Sequence, residues 1–167
     1  KALVTGGSRG IGRMVASGLL ANGAEVLVAA RTTEELDAAV ADLSELGACS
    51  GVAADVTTDE GRHSLVDAVA AHGGLDILVN NAGIGPPETP AEDSGEADFD
   101  ATFDLNVKGL FFASQAVARQ MIKQGSGTIV NLSSQAGFIA LPGEAIYCAS
   151  KAAVAHLTKC HAVEWGG

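Results

Sequence analysis

Short apolar runs rich in β-branched residues alternate along this chain with longer stretches whose apolar residues recur every three or four positions. Ala2–Thr5 is the first run, and Glu25–Ala30 carries the second, Val26-Leu27-Val28-Ala29-Ala30. Ala48–Ala54 is a weaker third, Ile77-Leu78-Val79 the fourth and Thr128–Leu132 the fifth. Helical patterns fall between them: Ile11, Met14, Val15 and Leu19, then Leu36, Val40, Leu43 and Leu46, then Leu65, Val66 and Val69. Thr32 with Glu35 and Thr57 with Glu60 have the spacing of capping boxes, which marks where two of these helices begin. Gly85–Ala97 reads as a proline-rich acidic loop, and Asp98, Asp100 and Asp104 as a solvated helical face. Asn106–Lys123 reads as one helix with Val107, Leu110, Phe111, Val117, Met121 and Ile122, and the last helix runs from about Gly143 to Trp165. Continuous apolar strands alternating with amphipathic helices predict an α/β chain whose parallel sheet is covered on both faces. No internal repeat or second domain interrupts the pattern.

The first strand leads at once into Gly6-Gly7-Ser8-Arg9-Gly10-Ile11-Gly12 and then a helix. In a strand–turn–helix unit, the backbone amides of the helix N-terminus can hold a pyrophosphate. Glycines permit the tight turn and the close approach of phosphate, but they also serve plain strand–helix packing. The spacing differs from the G-x-G-x-x-G fingerprint. Near the other end, Tyr147 and Lys151 are one helical turn apart and share a face. An ammonium beside a phenol favours the ionised phenol, which can then pass protons near neutral pH.

Composition narrows the classes. The 167 residues are 47% hydrophobic and only 18% charged, as suits one domain with a large core. A net charge of −10 argues against a nucleic-acid surface. No run approaches the roughly 18 apolar residues of a membrane span, and no signal peptide is visible. Cys49, Cys148 and Cys160 lack metal-ligand spacing, and their odd number suits a reducing cytoplasm. Cys148 reads as a helix-packing residue. His63, His72, His156 and His161 are scattered, and no metal site is expected.

Taken together, these motifs resemble the short-chain dehydrogenase/reductase family. Thr5-Gly6-Gly7-Ser8-Arg9-Gly10-Ile11-Gly12 is similar to its cofactor turn, and Asn80-Asn81-Ala82-Gly83 to its motif after the fourth strand. Asn106, Ser134, Tyr147 and Lys151 follow the order of its catalytic tetrad. The resemblance runs over nearly the whole chain. It implies a Rossmann-type, doubly wound parallel sheet with strand order 3-2-1-4-5 between two helical layers. Residues 1–167 would form a single dinucleotide-binding and catalytic domain without the last strands and the substrate-covering segment of relatives. In that scheme Tyr147 is the acid/base, and Lys151 also holds the nicotinamide ribose. Ser134 bonds the carbonyl oxygen, and Asn106 holds a water that links Lys151 to solvent. Gly6, Ser8, Gly10, Ile11, Gly12, Asn81, Ala82 and Gly83 would contact the cofactor, and Asp55 and Val56 its adenine, although Asp55 also reads as a plain turn residue. Residues 84–88 and 135–144 would line the substrate pocket.

NAD-preferring relatives carry an acidic residue where Ala30 stands. Arg31 follows it and Arg9 lies in the glycine turn, a pair suited to a 2′-phosphate. The expectation is therefore an NADP(H)-dependent oxidoreductase acting on a secondary alcohol or ketone, as a cytoplasmic homodimer or homotetramer. Its helices Asn106–Lys123 and Gly143–Trp165 carry apolar residues on more than one face. An epimerase or dehydratase on a related fold, and a non-catalytic nucleotide-sensing module, are the alternatives left open.

Overall fold

A computed structural model describes residues 1–166. Strands β1 (Ala2–Thr5), β2 (Val26–Ala30), β3 (Cys49–Ala53), β4 (Ile77–Asn80) and β5 (Thr128–Asn131) form one parallel sheet in the order β3-β2-β1-β4-β5. The expected fold class and strand order hold. The helices are α1 (Gly10–Ala21), α2 (Thr33–Ser44), α3 (Asp59–Ala71), α4 (Glu96–Phe103), α5 (Leu110–Gln124) and α6 (Ala145–Trp165).

Strand pleating sorts the apolar residues into two cores. Leu3, Leu27, Ala29 and Leu78 pack with Leu65 and Val69 of α3 and with Ala113, Val117 and Met121 of α5. Their neighbours Ala2, Val4, Val26, Val28 and Val79 pack with Ala16 and Leu20 of α1 and with Leu36 and Leu43 of α2. Burial on both faces is why the inner strands read as unbroken apolar runs. On β5, Thr128 and Val130 are exposed, and Ile129 alone reaches the core.

Three sequence expectations need correction. Asn106–Lys123 is not one regular helix. Between α4 and α5 the chain passes through a π turn, Asp104–Gly109, so Asn106 lies in the π segment and α5 proper begins at Leu110. The cap of α3 is Thr58, whose Oγ1 accepts from the Gly61 amide at 3.0 Å. Thr57 instead donates its hydroxyl to the Asp55 carboxylate at 2.8 Å. Thr32 does precede α2, but its side chain makes no cap hydrogen bond.

The chain runs outward from β1 to β3, then returns to the far side of β1 for β4 and β5. Connections after β1 and β4 therefore leave on opposite faces, and a crevice opens at their C-terminal ends. Hydrogen bonds stitch that crevice. The Thr5 hydroxyl accepts from the amides of Asn81 and Ala82, each at 3.1 Å. Asn81 Nδ2 donates back to the carbonyls of Thr5 at 2.9 Å and Gly6 at 3.1 Å. This closeness requires glycine. A Cβ on Gly12 would lie 2.2 Å from the Gly6 carbonyl oxygen, and Gly6 itself has φ +64°.

Thr5→Val keeps the side-chain shape and leaves the Asn81 and Ala82 amides without their acceptor. Unpaired buried donors cost about 1–3 kcal/mol each. Urea unfolding should report a loss of roughly 2 kcal/mol or more, and an unchanged midpoint would refute the stitching role.

Candidate active site

The crevice widens into a cleft of about 630 Å³. Gly6, Ser8, Arg9 and Ile11 of the glycine turn line it, with Arg31 beyond β2 and Asp55 and Val56 beyond β3. Asn81, Ala82 and Gly83 come from the end of β4, and Tyr147 and Lys151 from α6. Gly10 and Gly12 are not in this wall; Gly12 is buried and Gly10 exposed. Gly12 is fixed by packing on Gly6, whereas Gly10 has φ +54° and open space where a Cβ would point. Helix α1 has no side-chain cap. Its first amides therefore need another acceptor, and an anion in the cleft would supply one. The glycine turn thus serves both readings: packing at Gly6 and Gly12, access at Gly10.

The two arginines differ. Arg9 Nη1 is 3.6 Å from Glu35 Oε1, and both side chains are substantially exposed. Glu35, matched to Thr32 as a capping residue in the sequence, points to the turn instead. Arg31 is exposed and has no ion-pair partner among the described residues. Asp55 Oδ1 accepts from the amide and hydroxyl of Thr57, at 2.9 and 2.8 Å. It is therefore a turn residue that also faces the cleft.

Lys151 Nζ lies 5.7 Å from the centroid of the Tyr147 ring and donates to the Leu132 carbonyl at 3.0 Å. Only 7% of Lys151 is exposed. Burial holds its pKa below the ordinary lysine range. Ser133 lines the wall and donates to the Lys151 carbonyl at 2.8 Å. Ser134 stands just outside the wall, and its Oγ accepts from the Ala136 amide at 3.2 Å. That leaves its hydroxyl hydrogen available. The ring of Tyr147 lies against Gly85, where a Cβ would meet it at 3.4 Å.

Asn106 is buried behind the cleft. Its Oδ1 accepts from the Ile84 amide at 2.8 Å, and its Nδ2 donates to the Ile84 carbonyl at 2.7 Å and to Ser150 Oγ at 3.0 Å. Both side-chain donors are thus committed to the protein, and one lone pair of Oδ1 remains. A Cβ on Gly83 would lie 3.1 Å from that oxygen and 3.4 Å from Lys151 Nζ, so the two groups flank one spot. Ser133 and Ser150 escaped the sequence reading as site residues, while Thr5 was read only as part of the glycine-turn motif and Glu35 only as a capping residue. Thr5 alone had a usable signal, a hydroxyl on the last strand residue before the glycine turn.

A depressed folded-state pKa means that the fold disfavours the charged lysine. That penalty is complete below the folded pKa and fades as pH rises from there toward the ordinary value of about 10.4. Without added nucleotide, Lys151→Met should therefore raise Tm near neutral pH. The gain should shrink as pH climbs toward about 10, and a pH-independent gain in thermal unfolding would contradict this.

Residues 1–167 match the short chain dehydrogenase family. The chain is 44% identical to gluconate 5-dehydrogenase of Gluconobacter oxydans over 170 residues, covering 99% of this chain and 65% of that protein. The crystal structure of NAD+-bound xylitol dehydrogenase superposes with a TM-score of 0.96 at 35% identity, over 99% of this chain and 64% of that one. A gluconate 5-dehydrogenase from Burkholderia cenocepacia in complex with NADP and tartrate gives 0.93 at 36% identity, over 99% and 65%. The chain thus spans about two thirds of the length of these proteins. It belongs to the short chain dehydrogenase family of nicotinamide-dependent oxidoreductases.

Proposed function

We propose that these residues form the dinucleotide-binding and catalytic domain of an NADP(H)-dependent oxidoreductase that interconverts a secondary alcohol and its ketone. The observation that carries this reading is convergence. Tyr147 and Lys151 reach the same cleft as the glycine turn, from the opposite end of the chain. Gly6, Ser8, Gly10, Ile11 and Gly12 would hold the pyrophosphate at the α1 N-terminus. Asp55 and Val56 take the adenine side, and Asn81, Ala82 and Gly83 the nicotinamide ribose side.

The bound nicotinamide supplies the hydride donor or acceptor. The chain supplies the rest. Tyr147 gives a proton to a ketone oxygen, or as phenolate takes one from an alcohol. The Lys151 ammonium favours the phenolate and hydrogen-bonds the ribose hydroxyls. The free hydroxyl hydrogen of Ser134 bonds the reacting oxygen as charge develops on it. Asn106 keeps one lone pair for a water beside Lys151, a route for the proton to solvent.

Cofactor choice rests on Arg9, Arg31 and Ala30. The compared structures hold NAD+ in one case and NADP in the other, so these residues decide for this chain. Arg31 has no ion-pair partner among the described residues and is able to bind a 2′-phosphate, and Ala30 offers no carboxylate to repel it. The compared proteins are named for alcohol oxidation of a polyol and of a sugar acid, which supports a secondary alcohol as the reacting group.

In the full-length protein, Tyr147→Phe should lower turnover by about 10²–10⁴-fold with little change in NADPH affinity. Retention of a tenth of parental activity would remove Tyr147 from the proton path. NADPH should bind at least about tenfold more tightly than NADH, given one charge-assisted contact. Arg31→Asp should reverse that order, and equal dissociation constants in the parent would refute the NADP(H) assignment.

A further inference from the structure

Resting on the reading of the Tyr147–Lys151 cleft as an alcohol site, we propose that its substrate is an uncharged vicinal polyol. Glu88 and Glu144 select it by accepting hydrogen bonds from the hydroxyls beside the reacting carbon. The cleft is lined by charges of both signs: Glu35 and Asp55 accompany two arginines at the adenine end, while carboxylates outnumber cations at the Tyr147 end. Arg9 and Arg31 stand at the glycine turn and the end of β2. Strands β1 and β4 separate β2 from β5, and three strand spacings amount to about 14 Å. At the Tyr147 end, Lys151 is the one cation among the described lining residues, and it is accompanied by Glu88 and Glu144.

Local geometry brings both carboxylates to that end. Glu144 occupies the N-cap of α6, less than one turn before Tyr147. Glu88 follows Gly85, the residue against which the Tyr147 ring packs. The Thr89 amide donates to the Gly143 carbonyl at 2.9 Å, so the loops that carry Glu88 and Glu144 form one wall. A Cβ on Gly143 would lie 3.4 Å from the Glu88 Cβ. Neither glutamate has an ion-pair partner among the described residues. Glu88 is exposed and Glu144 half-buried.

Ionised carboxylates only accept hydrogen bonds. A substrate with hydroxyls on adjacent carbons offers the matching donors. A hydroxy acid brings a further negative charge to the wall that already carries these two carboxylates and is repelled. Lys151 offsets one of the two carboxylates, so this end of the lining keeps a net negative charge among the described residues. A simple aliphatic alcohol leaves both carboxylates without a partner from the substrate and loses their contribution.

The test compares erythritol, erythronate, 2-butanol and 3-amino-2-butanol as substrates of the full-length protein with NADP+. The expected kcat/KM for erythritol exceeds each of the others by at least about tenfold, the worth of one charge-assisted hydrogen bond. In the double variant Glu88→Gln with Glu144→Gln, erythritol should lose at least about tenfold, mainly in KM, and erythronate should gain. The NADP+ dissociation constant and the thermal midpoint should hold steady, which reports an intact fold. Preference for erythronate or 2-butanol, or an unchanged erythritol-to-erythronate ratio in the double variant, overturns the proposal and leaves the oxidoreductase reading standing. Preference for the amino alcohol also overturns it, since the carboxylates then act as counter-charges. Absence of turnover with every alcohol, with NADP+ and with NAD+ alike, overturns the oxidoreductase reading and this one with it.

Discussion

The Thr5 hydroxyl, held by the amides of Asn81 and Ala82, fixes the distance between the two turns that make the crevice. Further polar contacts extend from that point. Asn81 binds the carbonyls of Thr5 and Gly6, and the loop beyond it is clamped at Ile84 by Asn106. Asn106 reaches Ser150, and Ser150 donates to the Tyr147 carbonyl at 2.8 Å. The glycine turn and the tyrosine helix are thus joined by directional bonds, while the apolar cores hold the layers together. A net hydrogen bond is worth only about 1 kcal/mol, but leaving a buried partner unmade costs more. Such a series therefore sets geometry more than total stability.

Lys151 shows the opposite economy. A buried ammonium with no carboxylate partner among the described residues weakens the fold by its desolvation. Structures tend to hold such groups where chemistry needs them. Groups in and around the cleft are also left uncommitted: the Ser134 hydroxyl hydrogen beside it, a lone pair on Asn106 behind it, and the Arg31 guanidinium and uncapped start of α1 within it.

Much of this was legible in the sequence, for identifiable reasons. The strands showed as β-branched apolar runs because the sheet is buried on both faces, and β1 was placed to the residue. Their order, and the grouping of Tyr147 and Lys151 with the glycine turn, came from the family resemblance rather than from periodicity. Three features were hidden. The π turn at Asp104–Gly109 leaves no mark in apolar spacing, because a single extra residue falls within the tolerance of a helical pattern. The cap at Thr58 was misplaced by one because Thr57 and Thr58 are chemically equivalent, and only the Asp55 turn decides between them. Glu35 fitted a capping box by spacing, but its partner Arg9 comes from a distant turn that no local pattern can indicate.

A π turn carries one residue more than the α-helical turn it replaces, and one residue is about 100° of rotation. Helices α4 and α5 are therefore out of phase along what is nearly a continuous rod. This offset lets the stacked Phe99 and Phe103 serve α4 while Ala113, Val117 and Met121 of α5 lie on the sheet. Substitutions along the rod are absorbed one side chain at a time. A change of length is not, because losing or gaining one residue between Asp104 and Gly109 would turn one helix about 100° against the other and carry its buried positions off the sheet. Over evolutionary time this stretch should vary in spelling outside Asn106 while its residue count stays fixed.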